Sequence, residues 1–231
     1  MNQNILALTI DRRDGKSDIT FALRRLIIAG WVGRDKKAVQ EHIDELGKLG
    51  VPAPTRTPTY MNLTAGIAST TDNMDVVGAD SSGEVECVVF KDNDQLFVGV
   101  GSDHTDREFE KYGIPASKQM CPKIMAPVIW DYEEVKDHID QIVLRSWMTR
   151  DGEKKHYQEG TLGTNVSIED LMSGIPINDG LPLDNYCMFC GTFPAISGLV
   201  YGERFDFEME DPVLNRKISH GYSVRVLPQY L

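Results

Sequence analysis

The chain has 231 residues, of which 41% are hydrophobic and 26% charged, a composition typical of a globular protein and compatible with one domain over residues 1–231. Its formal net charge of -11 disfavours nucleic acid and anionic membranes as partners, because a mostly negative field repels phosphate groups. No apolar run approaches the ~20 residues that cross a bilayer, and the first ten residues lack the basic-then-apolar order of a signal peptide. We therefore expect a cytoplasmic protein.

The N-terminal part of the sequence predicts strands followed by one helix. Ile5–Ile10 alternates weakly, Asp14-Gly15 is a hairpin signal, and Ile19–Trp31 is apolar with β-branched residues. We expect these strands, within residues 1–34, to pack onto the rest of the domain. Asp35–Leu49 then offers an aspartate cap and apolar residues at spacings of three and four, which predicts an α-helix.

The middle of the sequence predicts a hairpin and a short helix. Glu84–Phe90 and Gln95–Val100 are rich in β-forming residues, and the polar residues between them predict the turn of a hairpin. Thr105–Tyr112 predicts a short helix that is capped by Asp103 or by Thr105 itself.

The C-terminal half predicts mostly strands. Asp131–His138 and Ser167–Met172 are short helix candidates, the second with a serine cap. The predicted strands are Ile142–Thr149, Lys154–Gln158, Tyr186–Gly191, Arg204–Met209 and Ile218–Val226. Because hairpins rather than crossover helices join consecutive strands, we expect an α+β fold, a predominantly antiparallel or mixed β-roll with short peripheral helices.

The cysteines, at positions 87, 121, 187 and 190, are too few and too irregular for a disulfide framework in a chain of this length. Cys187 and Cys190 form one CxxC pair, which can be half of a zinc site or a redox motif. Since no second pair exists in the sequence, small buried core residues are the favoured interpretation.

Three carboxylates carry the functional signal of the sequence. Glu84 and Glu86 are two residues apart on a predicted strand, so both side chains point to the same face. Two ionised carboxylates repel each other unless a cation or proton lies between them, which favours a hard divalent ion with oxygen ligands. If the hairpin closes, Asp103 can supply a third carboxylate. The alternatives are a solvated strand face for the two glutamates and a helix cap for Asp103.

This pattern resembles the metal-binding core of the fumarylacetoacetate hydrolase family, which reads roughly Glu-x-Glu and then Asn-Asp-x-[Ser/Thr]-x-Arg-Asp. The other similar segments are Gly30-Trp31-Val32-Gly33-Arg34 and His42-Ile43-Asp44-Glu45 (a glycine-containing strand and a His-x-x-Glu helix), Val51-Pro52 with Pro54, Lys118 through Cys121-Pro122 to Ala126-Pro127, Arg150-Asp151-Gly152-Glu153 to Tyr157-Gln158, and Gly191-Thr192. These short motifs occur in the family's order over residues about 30 to 227, and together they are more specific than any one of them.

The resemblance implies that Glu84, Glu86 and Asp103 bind one Mg²⁺ or Mn²⁺ ion. It also implies that His42 and Glu45 form a dyad that activates water or moves a proton. The spacing of this pair supports the second implication, because residues at i and i+3 share one face of a helix. A carboxylate placed there can orient the imidazole and raise its pKa towards the working pH.

By the same resemblance, Arg107 and a lysine would hold the carboxylate or oxo groups of a substrate. The lysine is Lys118 or, as the alternative, Lys123. Gly191-Thr192 would offer a backbone N–H and a hydroxyl to another substrate oxygen, with Gln158 as a further candidate. The family resemblance implies a homodimer.

The expected function is therefore a metal-dependent enzyme that acts on a small oxo acid or 1,3-dicarbonyl acid through a metal-stabilised enolate. Hydrolytic C–C bond cleavage is the first candidate, and a decarboxylase, hydratase or tautomerase of a 2-oxo acid is the alternative within the same site. The other classes are a non-catalytic metabolite-binding module and an acidic scaffold protein.

Overall fold

The computed structural model of the protein describes residues 3–48, 53–177, 179–196 and 198–230, apart from the side chains of His42, Glu45 and Leu46. Its strands are β1 (Asn4–Arg12), β2 (Gly15–Leu23), β3 (Arg25–Gly30), β4 (Thr59–Leu63), β5 (Ala68–Ser69), β6 (Asn73–Val76), β7 (Ser81–Ser82), β8 (Val85–Asp92), β9 (Gln95–Ser102), β10 (Thr105–Asp106), β11 (Lys123–Met125), β12 (Val128–Asp131), β13 (Val143–Arg150), β14 (Glu153–Thr161), β15 (Tyr186–Phe189), β16 (Arg204–Asp211) and β17 (Arg216–Val226). Its α-helices are α1 (Lys36–Lys48), α2 (Arg107–Glu110), α3 (Ile114–Gln119) and α4 (Ile168–Ser173).

In the described part of the chain the strands form two main sheets. The larger sheet has ten strands, eight of them in the order β2-β1-β12-β9-β8-β15-β3-β4, and β11 joins β9 to β5. The smaller sheet has five strands in the order β14-β13-β16-β17-β6. Both sheets are mixed, since β1–β12, β3–β15 and β6–β17 are parallel pairs whereas the hairpins are antiparallel. The predicted mixed, β-rich fold with short helices is confirmed.

The two faces of the larger sheet bury two separate apolar clusters. Along β8, Val88 and Phe90 belong to one cluster, whereas Cys87 and Val89 belong to the other, which also includes side chains of the smaller sheet. This division follows from the alternation of side chains along a strand. All four cysteines are buried with free thiols, which confirms their interpretation as core residues.

The strongest local patterns of the sequence are present in the structure. The hairpins β1–β2, β8–β9 and β13–β14 form where turn residues separate apolar runs. Helix α1 covers the predicted segment, and the Ser167 hydroxyl caps α4 by accepting the Asp170 N–H at 3.1 Å.

Two predictions about helices were wrong. Asp106 caps α2 by accepting the Phe109 N–H at 2.8 Å, and Thr105 lies in β10, so Asp103 does not act as the cap. The predicted helix Asp131–His138 is replaced by two 3₁₀ segments, Tyr132–Glu134 and Lys136–Gln141, and the backbone at His138, inside the second segment, leaves the helical region at φ -135°. No helix in the described residues is long and apolar enough to span a membrane.

Candidate active site

The β8–β9 hairpin brings the three predicted carboxylates together. Glu86 pairs with Gly101 across the hairpin, and the Asp103 N–H donates to the Glu84 carbonyl at 2.9 Å. One carboxylate oxygen from each of Glu84, Glu86 and Asp103 lies within 4.8 Å of the others. Asp103 is fully buried, Glu86 is buried and Glu84 is partly exposed, so the cluster lies at the edge of the protein interior.

Glu84 is held by two cations. Arg107 Nη2 donates to its Oε1 at 2.9 Å, and Lys118 Nζ donates to its Oε2 at 2.9 Å. Burial alone would raise the pKa of Glu84, but the positive charges of Arg107 and Lys118 outweigh it and lower the pKa to about 2. Glu84 is therefore ionised at every physiological pH.

Glu86 has the opposite electrostatic environment. Burial and the neighbouring Asp103 carboxylate raise the pKa of Glu86 well above its ordinary value, and Lys118 only partly offsets this. One direct donor to Glu86 is the backbone N–H of Gly191, at 2.7 Å from Oε2. Its ionised form is therefore costly unless more positive charge reaches it.

Asp103 lies between two lysines. Lys118 Nζ donates to Asp103 Oδ2 and also lies 3.3 Å from the Thr105 hydroxyl. Lys123 Nζ lies 2.9 Å from Asp103 Oδ1 and donates to the His104 carbonyl. The contact with Oδ1 is an ion pair without hydrogen-bond geometry, so this buried oxygen accepts no hydrogen bond. Both lysines thus contact Asp103, and Lys118 is the one that also contacts Glu84.

The turn after β15 supports the base of the hairpin. Gly191 has φ +84°, and a Cβ on it would lie 2.1 Å from a Val32 methyl carbon, so this position favours glycine strongly. Gln158 Oε1 accepts the Val85 N–H at 2.9 Å, and its Nε2 donates to the Thr192 hydroxyl at 2.8 Å. These contacts fix the backbone of Val85, the residue before Glu86.

A protein-family model described as "Protein of unknown function (DUF2848)" matches residues 29–222. The chain belongs to the DUF2848 family. No curated protein sequence matches it.

Solved structures show which fold this DUF2848 protein has. A candidate fumarylpyruvate hydrolase from Burkholderia cenocepacia is 17% identical with a TM-score of 0.64, over 99% of this chain and 98% of that chain. A 2-keto-3-deoxy-D-arabinonate dehydratase in complex with magnesium and 2,5-dioxopentanoate is 16% identical with a TM-score of 0.62, over 92% of this chain and 77% of that chain. A candidate fumarylacetoacetate isomerase/hydrolase from Oleispira antarctica is 13% identical with a TM-score of 0.65, over 94% and 99%. The protein therefore has the fold of the fumarylacetoacetate hydrolase family.

Several of the predicted site residues have protein partners in this DUF2848 protein. Arg107 bridges Glu84 and the Ser82 hydroxyl, the latter at 2.7 Å from Nε. The Thr192 hydroxyl donates to the Val85 carbonyl at 2.9 Å, and Gln158 is bonded to the chain through both ends of its amide. Contact of these residues with a substrate stays a prediction. Gln158 and Thr192 hold the backbone of Val85, next to Glu86, and Arg107 holds the side chain of Glu84.

The His42–Glu45 dyad cannot be placed in the same detail. Both residues belong to α1, and their side chains lie outside the described residues, as do Val51 and Pro52. The dyad therefore stays a prediction from the sequence.

A buried network beside Asp103 was not predicted. His104 is fully buried, with Nδ1 2.7 Å from the Tyr222 hydroxyl and Nε2 2.9 Å from the Ser81 hydroxyl. The same Tyr222 oxygen lies 2.8 Å from Ser102 Oγ. Burial and the charge of Lys123 lower the pKa of His104 well below its ordinary value, so the imidazole is neutral at pH 7. Sequence reasoning could have noted a histidine next to Asp103, but its distant partner Tyr222 is visible only in the fold.

The residues of the cluster fit a divalent metal ion. Three carboxylates supply the oxygen ligands that Mg²⁺ and Mn²⁺ prefer. Asp103 Oδ1 is a buried oxygen that has an ion pair with Lys123 but accepts no hydrogen bond, and Glu86 needs a nearby cation to be ionised cheaply. A bound divalent ion would meet both requirements.

Proposed function

We propose that this protein is a metal-dependent enzyme that acts on a small oxo acid or 1,3-dicarbonyl acid, with hydrolytic C–C bond cleavage as its reaction. The observation that carries the proposal is the convergence of Glu84, Glu86 and Asp103 within 4.8 Å, beside a buried Asp103 oxygen that accepts no hydrogen bond. Such a buried acidic cluster is costly to the fold and is a candidate functional site for that reason.

The structural comparisons support the type of ligand. The similar dehydratase structure contains magnesium and 2,5-dioxopentanoate, a small oxo acid. At an identity of 16% this likeness establishes the fold, so the proposed activity rests on the residues of this chain.

Glu84, Glu86 and Asp103 would hold Mg²⁺ or Mn²⁺, which supplies positive charge that stabilises the enolate of an oxo acid. Arg107 is nearly buried beside Glu84, and its guanidinium would share its donors between Glu84 and a substrate carboxylate. Lys118 would contact the second acidic or oxo group of the substrate. The two cations would orient the substrate so that its reacting carbonyl faces the carboxylates.

The proton transfers are assigned to His42 and Glu45. In C–C hydrolysis, water adds to a carbonyl carbon and gives a proton to the imidazole. The C–C bond then breaks with its electron pair on the departing carbon, which takes up a proton to give a second carboxylic or oxo acid product. Glu45 would stabilise the imidazolium that forms in between. The carboxylates, Arg107 and Lys118 do not need to change protonation in this scheme.

The likeness to a dehydratase supports an alternative reaction in the same site, in which water is removed from or added to a 2-oxo acid. Decarboxylation and tautomerisation use the same enolate. Product analysis separates these outcomes, because C–C hydrolysis alone gives two smaller acids from one substrate and one water.

The first test is thermal unfolding of metal-stripped protein with and without millimolar Mg²⁺ or Mn²⁺. We expect a metal-dependent rise in Tm that is lost in Glu86→Ala and in Asp103→Ala. Glu108→Ala is the matched control, because Glu108 is an exposed acidic residue in α2 outside the cluster, and it should keep the rise. A wild-type Tm that ignores both ions would remove the metal-dependent proposal.

The second test concerns the dyad. His42→Ala should abolish turnover of the oxo acid that the wild type consumes, while the metal-dependent rise in Tm persists. Glu41→Ala, in the same helix and exposed, is the control for general effects on α1. Unchanged turnover in His42→Ala would show that the proton passes through another group. An absence of turnover of every oxo acid by a protein that binds metal would favour the non-catalytic binding module.

A further inference from the structure

Lys118 occupies an unusual position for a lysine. It is on the last turn of the six-residue helix α3, it is buried, and its ammonium contacts Glu84 Oε2 at 2.9 Å and Asp103 Oδ2. One oxygen from each of the three carboxylates lies within 4.8 Å of the others, and the charge of Lys118, which contacts two of these carboxylates, also acts on the third, that of Glu86. The Lys118 ammonium thus occupies the space on which the carboxylates converge.

We propose that Lys118 is an exchangeable internal cation, whose ammonium takes the place of the divalent ion in the metal-free protein and is displaced when that ion binds. This inference rests on the proposed function, because it assumes that the cluster binds a metal. In this exchange, the Lys118 ammonium compensates the charge of the carboxylates until the divalent ion enters, and it then has to move away from them.

The charge balance of the cluster supports the exchange. The carboxylates of Glu84, Glu86 and Asp103 face three cations, those of Arg107, Lys118 and Lys123. The three carboxylates therefore already have as many positive charges beside them as they could carry negative ones. If a divalent ion entered while Lys118 stayed in place, the ion and the ammonium would both contact the same carboxylate oxygens. Their repulsion would be strong, because they would be close together in a site with little exposure to water.

The structure also distinguishes the two lysines. Lys123 is fully buried in β11, which pairs with both β5 and β9, and its ammonium also donates to the His104 carbonyl. Lys118 has a side chain that is 8% exposed, and it extends from the end of a short helix. Lys118 can therefore leave the cluster through side-chain rotation, whereas Lys123 stays on Asp103.

Asp103 offers independent support for a ligand here. Its Oδ1 atom is buried and accepts no hydrogen bond, although its Oδ2 atom is bonded to Lys118. Loss of the Lys118 contact would leave Oδ2 without a cation, while Oδ1 would keep only its ion pair with Lys123. Once displaced, the Lys118 ammonium would be available to a substrate anion, so the metal is expected to bind before an anionic substrate.

The test is isothermal titration of the metal-stripped proteins with MnCl₂. Lys118→Met should bind Mn²⁺ about tenfold more tightly than the wild type or better, because no ammonium has to be displaced. Lys123→Met removes the same charge from the same carboxylate without vacating the place of the ion, and it should show a clearly smaller gain. Arg107→Leu is a second charge control and removes a cation from Glu84.

The outcomes are distinguishable. Equal gains in Lys118→Met and the controls would show that net charge alone sets the affinity, and this would overturn the exchange, as would no gain in Lys118→Met. If the wild type and Lys118→Met both fail to bind Mn²⁺, the proposed function fails and the exchange fails with it. If the wild type binds Mn²⁺ and Lys118→Met binds it no more tightly, the exchange alone fails.

A measurement on the wild type avoids any dependence on folding of the variants. Acetylation of lysines with an activated ester, read by mass spectrometry, should modify Lys118 faster when Mn²⁺ is present than when it is absent. Lys123 should be protected in both conditions. Acetylation of Lys118 that does not change with Mn²⁺ would overturn the exchange.

Discussion

Glu86→Gln is expected to stabilise the metal-free protein, although it removes a predicted metal ligand. Burial and the Asp103 carboxylate raise the pKa of Glu86 well above its ordinary value of 4.5. At pH 7 this glutamate is ionised in the unfolded chain, whereas its ionisation in the folded protein costs free energy. Glutamine is neutral in both states, so it removes the penalty while its carbonyl oxygen can still accept the Gly191 N–H.

The magnitude and the pH dependence follow from proton linkage. Below pH 4.5 Glu86 is protonated in both the folded and the unfolded protein, so the substitution should change the free energy of unfolding little. Above pH 4.5 the wild type loses about 1.4 kcal/mol per pH unit until the pH reaches the raised pKa. The interval from 4.5 to 7 therefore sets an upper limit of about 3.4 kcal/mol on the gain at pH 7.

The assay is urea unfolding in EDTA at pH 4.5 and pH 7. Glu84→Gln is the matched comparison with the opposite sign, because the pKa of Glu84 is lowered to about 2. Its loss at pH 7 is about 3.4 kcal/mol at most, and this loss should shrink as the pH falls from 4.5 towards 2. A Glu86→Gln protein that is less stable than the wild type at pH 7, by the same amount as at pH 4.5, would refute the reasoning.

Three further substitutions test the scaffold of the site. Gly191→Ala should cost about 2–4 kcal/mol in urea unfolding, since its φ is +84° and a Cβ would overlap Val32; the double variant with Val32→Ala should recover only part of this. Gln158→Leu leaves buried backbone groups without hydrogen-bond partners, so it should lower the free energy of unfolding by about 2–4 kcal/mol and weaken Mn²⁺ binding. An unchanged midpoint of urea unfolding would show that water replaces the amide. Tyr222→Phe removes the hydroxyl that partners His104 and should lower the unfolding free energy by about 1–3 kcal/mol, measured at pH 7. Equal stability of this variant and the wild type would contradict the network.

Local patterns of the sequence were sufficient for the elements that deliver the carboxylates. The alternation in β8 places Glu84 and Glu86 on one face, and the polar turn between β8 and β9 brings Asp103 back beside them. Both features depend on residues near each other in sequence. The resemblance to the fumarylacetoacetate hydrolase family added the expected fold, which the structural comparisons confirm.

The features that were missed depend on distant contacts. Tyr222 reaches His104 from a strand that is 118 residues away, and no periodicity in the sequence indicates such a pair. The choice between the two lysines was likewise open, because the position of each ammonium depends on how α3 packs against β10 and how β11 pairs with β9. The cap of α2 was misplaced by a few residues because Asp103, Thr105 and Asp106 all have side chains that can cap a helix.

Metal binding should reverse the order of stability of the wild type and Glu86→Gln. Such a reversal would connect the free-energy cost of burying the Glu86 carboxylate with the proposed metal binding. A ligand present at a thousand times its Kd stabilises the folded state by about 4.1 kcal/mol, which exceeds the largest penalty expected for Glu86 at pH 7. In EDTA the variant should therefore have the higher Tm, whereas in saturating Mn²⁺ the wild type should equal or exceed it. Glu86→Gln should gain little from Mn²⁺, because an amide is a weaker ligand than a carboxylate for a hard cation. If both proteins rise equally with Mn²⁺, the ion binds away from Glu86, and the cost of burying this carboxylate has another explanation.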